Sequence, residues 1–276
     1  MKKLVLQVLT SKVFLTIISP VLKFSQFIEM IKYNKLVRKQ NADSVMQLPE
    51  LQKLEVLNGP FSGMLYPEMS SLGSTFIPKL IGSYEAELHP IIEELIAKGY
   101  HEIWDVGCAE GYYAVGFAIR SKDSFVRAFD IDPNSRINCL KMAKLNSVEN
   151  RVQISEKCTA ETINESNFSK GLIISDCEGY EYDLIKTVNF KEKNLDFLIE
   201  VHEWPIDSNM DEKIRSLFQE THKVQIVTSK SDLYKAKYYD YSPLNLNPNL
   251  SLDFKYNCYK ECRGGNEMQW FYCTKI

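Results

Sequence analysis

Between Glu102 and Val227 the chain alternates short apolar runs with segments whose apolar residues recur every three or four positions. The strand-like runs are Glu102 to Val106, Phe125 to Phe129, Arg151 to Ile154, Leu172 to Ser175, Phe197 to Val201 and Lys223 to Val227. Helical spacing covers Tyr112 to Arg120, Pro133 to Leu145, Tyr180 to Val188 and Asp211 to Phe218, and an earlier helix runs from Tyr84 to a stop at Gly99. Such alternation requires right-handed crossovers and a mainly parallel sheet covered on both faces. The expectation is an α/β chain, Rossmann-like and doubly wound, completed by a seventh strand at Met268 to Thr274.

The flanks read differently. Residues 41–82 are punctuated by Gly59-Pro60, Gly63, Pro67, Gly73, Pro78 and Gly82, which predicts a long loop. Residues 1–83 therefore read as a basic helical arm and a loop, and residues 84–276 as the main domain. Within that domain a Tyr/Asn-rich insertion spans about 229–266, including Tyr238-Tyr239-Asp240-Tyr241. A stretch of this length is either functional or disordered. Its aromatic residues suit an ordered flap over a substrate, and a plain surface excursion is the alternative.

Composition excludes several classes. With 45% hydrophobic and 25% charged residues the chain is an ordinary globular one, and a net charge of -3 gives no general attraction for nucleic acid. Seven cysteines without framework spacing read as reduced thiols of a cytoplasmic protein. Cys258, Cys262 and Cys273 lack the fourth ligand of a structural zinc site.

The segment Ile103-Trp104-Asp105-Val106-Gly107-Cys108-Ala109-Glu110-Gly111-Tyr112-Tyr113 runs from a buried-type strand through a glycine turn into a helix. Its glycines are four apart, whereas a dinucleotide fingerprint needs them at positions 107, 109 and 112, where Gly, Ala and Tyr stand. This spacing weakens a nicotinamide-binding reading, and a phosphate-binding P-loop fails because no Gly-Lys-Ser/Thr follows. Gly107 and Gly111 would let a ligand approach the backbone, while Asp105 and Glu110 bring carboxylates to the mouth, which suits a cationic ligand. The next strand ends in Phe129-Asp130-Ile131-Asp132, placing Asp130 to accept hydrogen bonds from two ribose hydroxyls. S-adenosylmethionine is a ribose-containing cation of this kind.

With these residues the sequence resembles the class I S-adenosylmethionine-dependent methyltransferases, and more narrowly the FkbM family. Three strings in order carry the narrower resemblance: Asp105 to Tyr113, Ser175-Asp176-Cys177-Glu178-Gly179-Tyr180-Glu181, and Leu198-Ile199-Glu200-Val201-His202. The resemblance covers roughly residues 84–230. It implies a seven-stranded sheet with an antiparallel last strand, methyl transfer to a hydroxyl, and cofactor contacts at Ile131 and Ala160. Thr159-Ala160-Glu161 stands where many relatives carry an acid followed by Ala. Tyr84-Glu85 is similar to an element that closes over the cofactor, although an acid at a helix start explains Glu85 as well.

Read as residues, Glu200 and His202 are two apart and share a strand face, as do Asp176 and Glu178 if their strand continues. At the carboxyl edge of a parallel sheet they would gather where open α/β folds bind ligands. His202 or Asp176 is then the base that takes a hydroxyl proton and Glu178 its orienter. Glu181 either joins them or favours the dipole of the next helix. The acceptor would be a hydroxylated small molecule or glycan. The same cluster offers ligands for Mg²⁺ or Mn²⁺, a reading kept as the lesser alternative.

The arm, residues 1–40, carries eight basic residues against the single acid Glu29, so it is +7 and the remainder -10. Lys12, Ser19, Pro20 and Lys23 interrupt any apolar run of the roughly 20 residues that span a bilayer, and no cleavage site follows Lys2-Lys3 as in a signal peptide. Two readings stay open: a basic amphipathic helix on an anionic membrane surface, or helices packed on the body or on a second subunit of a homodimer. If the first holds, full-length protein should pellet with phosphatidylglycerol vesicles at low salt, with about 1 kcal/mol from each basic residue at the surface, and release at high salt. Equal pelleting by a chain beginning at Asn41 would refute it.

Overall fold

The computed structural model describes residues 48–202, 209–239, 251–261 and 268–276, together with the helical positions Ser25, Ile28, Lys32, Leu36, Lys39 and Asp43. Apart from five of those positions, the basic arm lies outside the described residues. The chain divides into two compact units, Met1–Asp43 and Ser44–Ile276, and the second contains every strand of the sheet. No helix among the described residues is long and apolar enough to cross a membrane.

Seven strands form one sheet: β1 Glu102–Val106, β2 Phe125–Phe129, β3 Val152–Ser155, β4 Gly171–Ser175, β5 Leu195–Val201, β6 His222–Thr228 and β7 Gln269–Lys275. Their order is β3-β2-β1-β4-β5-β7-β6. β1 to β5 are mutually parallel, and β7 is antiparallel to both β5 and β6. Among the described residues of the second unit the α-helices are α1 Phe76–Ile81, α2 His89–Lys98, α3 Tyr112–Arg120, α4 Pro133–Leu145, α5 Ala160–Glu165, α6 Glu181–Ile185, α7 Met210–Phe218, α8 Asp232–Tyr238 and α9 Leu252–Tyr259. Period-2 alternation sends Ile103, Val126, Leu172 and Leu198 into one buried layer and Trp104, Phe129, Ile173 and Phe197 into the other. The expected doubly wound Rossmann-like sheet with an antiparallel last strand is therefore present.

Two expectations about the flanks change. Residues 48–83 are not a loose loop. Leu51, Phe61, Met64, Phe76 and Leu80 are fully buried, Glu55 bridges Leu65, and α1 ends at Gly82 in a left-handed cap. Glycine and proline punctuation hid this segment because its structure consists of short turns rather than periodic elements. The described parts of the insertion are α8 and α9, which pack on each other and, through α9, on α1. Residues 240–250 and 262–267, with Cys262, lie outside the described residues.

The strand order reverses between β1 and β4, the position at which open α/β sheets leave a crevice at their carboxyl ends. There the Asp176 amide donates to Val106 O at 3.0 Å. Gly107 has φ +89°, and a Cβ on it would sit 1.8 Å from Asp176 O. Its missing side chain makes room for the backbone that directly follows β4, and Gly107 itself lines the cavity described below. At Gly111 a Cβ would sit 2.8 Å from Cys139 Sγ of α4, so this glycine permits helix packing.

Gly107→Ala should therefore lower stability by about 2 kcal/mol or more, combining left-handed strain with a backbone clash. Gly73→Ala, at φ +71° with nothing within 4 Å of its Cβ, should cost only about 1 kcal/mol. Urea unfolding of both variants measures this, and equal losses would show that the β1 to β4 approach is not limiting.

Candidate functional site

A cavity of about 570 Å³ opens at the carboxyl ends of β1, β2 and β4. That size lies in the range of small-ligand sites. Its floor is the turn after β1. Asp130, directly after β2, accepts from Ala109 N at 2.9 Å through Oδ2 and from Asp132 N at 2.8 Å through Oδ1. Each oxygen retains further acceptor capacity, and Asp130 lines the cavity. The same bond holds Ala109 in a left-handed conformation, φ +47°. Ile131 lines the cavity beside it and is 76% exposed, a largely uncovered apolar surface.

The other sequence-derived cofactor residues divide. Asp105 lines the cavity but is buried, and its Oδ2 accepts from Ala114 N at 2.8 Å, satisfying an otherwise orphan donor in the first turn of α3. Burial pushes its carboxyl up to about 7 against that hydrogen bond. Glu110 does not reach the cavity mouth. It pairs with Lys79 Nζ at 2.6 Å and accepts from Ser71 Oγ at 2.7 Å and Leu72 N at 3.0 Å. Burial alone would raise its carboxyl, but Lys79 and these donors outweigh it and hold it below the usual range. Ala160 turns into the core, because Thr159 caps α5 there, and Glu156, Lys157 and Cys158 line the cavity instead. Glu85 is fully buried behind the wall, accepting from the hydroxyl of Tyr113, which does line it.

At the far wall the acidic cluster comes together. β4 stops at Ser175, so Asp176 and Glu178 share no strand face. A turn with Glu178 at φ +54° and Gly179 at φ +102° brings them round instead. His202 Nε2 lies 3.7 Å from Asp176 Oδ1, 3.6 Å from Glu178 Oε2 and 3.8 Å from Glu200 Oε2. Its Nδ1 is 2.9 Å from Glu181 Oε1. Glu181 is buried, and the same oxygen accepts from Cys177 N at 3.0 Å and Gly179 N at 3.2 Å. Burial acts to lower His202, yet the Glu181 hydrogen bond and the carboxylates around it raise it above its ordinary value. Burial, with Glu85 adding to it, pushes Asp176 up to about 6.

Asp176, Glu181 and His202 are also the described trio whose ligand atoms lie close enough for a metal, within 4.8 Å of one another. They fit Mg²⁺ or Mn²⁺ poorly. The Glu181 oxygen already receives three N–H donors, and a hard cation needs about six oxygen-rich ligands.

Sequence reasoning missed Lys79 and left Glu181 undecided. Lys79 is a lone cation in the apolar hexapeptide of α1, a signal hidden by the loop assignment. Glu181 is the last acid of the Asp-x-Glu-Gly-x-Glu string, and its burial is a tertiary fact.

No family model matches the sequence, nor does any curated protein. Solved structures do. A putative O-methyltransferase from Klebsiella pneumoniae is 9% identical over 70% of this chain and 81% of its own, with TM-score 0.46. An S-adenosylmethionine-dependent O-methyltransferase from Thermotoga maritima is 12% identical over 68% of this chain and 64% of its own, TM-score 0.46. A ribosomal protein L11 methylase from Lactobacillus delbrueckii subsp. bulgaricus is 12% identical over 77% and 86%, TM-score 0.47. The likeness is one of architecture, which the sheet order already establishes.

Glu181→Gln keeps an acceptor for His202 Nδ1 but removes the charge. The His202 pKa should fall back toward its ordinary value, as expected when a neighbouring opposite charge is lost. Imidazole NMR titration reads this, and an unchanged value would assign the shift to other groups.

Proposed function

We propose that the chain is an S-adenosylmethionine-dependent methyltransferase of FkbM-like type that methylates a hydroxyl of a glycan, glycolipid or small metabolite. The observation that carries this reading is one cavity lined by Asp130 on one side of β1 and by Asp176 and Glu178 of the His202 cluster on the other.

The residues fit the cofactor. Asp130 has lone pairs free for the two ribose hydroxyls, Ile131 offers an apolar face to a flat base, and Glu156 to Cys158 border the same end. Bound S-adenosylmethionine supplies an electrophilic methyl group on a cationic sulfur. What the chain adds is a place for the acceptor and its proton. His202 donates Nδ1–H to Glu181, which leaves Nε2 as the bare nitrogen, turned toward Asp176 and Glu178. Asp176 holds the acceptor hydroxyl and Nε2 takes its proton. The flanking carboxylates stabilise the imidazolium that forms, an arrangement that favours general-base work near neutral pH. Glu181, not Glu178, is thus the orienter.

Because the His202 pKa is raised, its base form is lost below that value, and turnover should climb as pH rises through and beyond about 6.5. Calorimetry with S-adenosylhomocysteine tests the cofactor. Wild type should bind, and Asp130→Ala should weaken binding by about 1 kcal/mol or more, roughly fivefold. His202→Ala and Asp176→Asn should abolish turnover with cofactor affinity near wild type. Binding without turnover on any hydroxylated acceptor would leave a non-catalytic nucleotide-binding protein. Loss of activity on chelation, rescued by Mg²⁺ or Mn²⁺, would replace His202 as the base by a metal.

A further inference from the structure

We infer that Lys79 binds the carboxylate of the ligand's amino-acid tail, so that the segment ahead of the sheet completes the ligand site and selects for that tail. This rests on the cavity being an S-adenosylmethionine site and names the residue that reads one end of the cofactor.

Lys79 lies in α1 and is 3% exposed, yet it lines the cavity. An ammonium group has three N–H donors. One goes to Glu110 Oε1 at 2.6 Å and one to Ser71 Oγ at 3.1 Å. Among the described residues no acceptor takes the third. Nζ sits 4.9 Å from the ring centroid of Tyr84 and 5.2 Å from that of Tyr112, both cavity-lining residues. The ammonium is thus held against an aromatic wall of the cavity, away from bulk water, with one N–H not committed to an oxygen acceptor among the described residues. A charge-assisted bond there is about twice as strong as a neutral one.

The surroundings suit a zwitterion. Glu110 anchors the loop that carries Ser71 and Leu72, and this loop brings Leu72, Gly73 and Ser74 to the same part of the cavity. Asp105, close enough to feel the Lys79 charge, lines the cavity from β1. A carboxylate at Lys79 with an α-ammonium at Asp105 matches the two charges of an amino-acid tail. Lys157, the other cation on the wall among the described residues, follows β3 and sits 5.3 Å from the Tyr180 ring.

The test compares S-adenosylhomocysteine with 5′-methylthioadenosine, which keeps the adenosine thioether and lacks the tail. Lys79→Met is combined with Glu110→Gln so that no buried carboxylate is stranded. The double variant should bind S-adenosylhomocysteine about tenfold or more weakly while methylthioadenosine affinity stays within about twofold. Equal losses for both ligands would make the role structural, and no loss would remove Lys79 from the site. Either result overturns the inference. On unmodified protein, an analogue that keeps the tail amine but lacks the carboxylate should bind about tenfold more weakly than S-adenosylhomocysteine. Equal binding overturns the inference whether or not the double variant folds. If wild type binds no adenosine ligand at all, the methyltransferase reading fails and this one with it. Binding of all three with equal affinity sinks the tail inference alone.

Discussion

The ends of β1 and β4 meet backbone to backbone, with Asp176 N on Val106 O and the Gly107 Cα facing Asp176 O across a gap that admits no methyl group. Everything at the site is measured from this joint. It sets how far Asp105 and Gly107, on the ligand side, stand from Asp176, where the acidic cluster begins. A parallel pair cannot be drawn so close by hydrogen bonds alone once the strands end. The missing Cβ is what allows the two turns to overlap.

Strain gathers around the same point. Glu85, Ala109 and Glu178 are non-glycine residues with positive φ, and all three lie at or directly behind the cavity wall. Such conformations cost of order 1 kcal/mol or more each and persist where surrounding bonds over-determine them. Ala109 is held by the Asp130 carboxylate, and the turn containing Glu178 by two amides on Glu181. The groups proposed to meet the ligand are therefore also the groups that keep the loops in place, which couples the geometry of the site to its own carboxylates.

The flanking segments supply a second layer of charge. Lys235 of α8 is fully buried, bonded to Glu261 and 3.3 Å from Glu87, while the Glu85 amide donates to Glu261 at 3.2 Å. With the Lys79 to Glu110 pair, this network joins residues 71–87, Lys235 and Glu261 to the Tyr113 wall. Buried pairs of this kind add little net stability, but removing one partner strands a buried charge and is strongly destabilising. The insertion is thus a structural member of the site at its described ends, whatever contacts it makes with an acceptor.

Local pattern sufficed for the sheet. The strand runs from Glu102 to Val106 and from Phe125 to Phe129 were legible to the residue, because a buried strand must be apolar whatever surrounds it, and Asp130 followed from its place just after such a strand. Helix α5, the buried turns of residues 48–83 and the ends of the insertion were not legible. Short elements have little periodicity, and what fixes them is contact with distant residues. The sequence by itself determined the order of strands and helices and which polar residues lie at the carboxyl edge, since both follow from spacing along one chain. The tertiary structure alone decided which groups meet: Glu110 with Lys79, Glu181 with His202, and Gly107 with the Asp176 backbone. Those pairings span 31, 21 and 69 residues, and desolvation and packing choose among partners that no local pattern distinguishes.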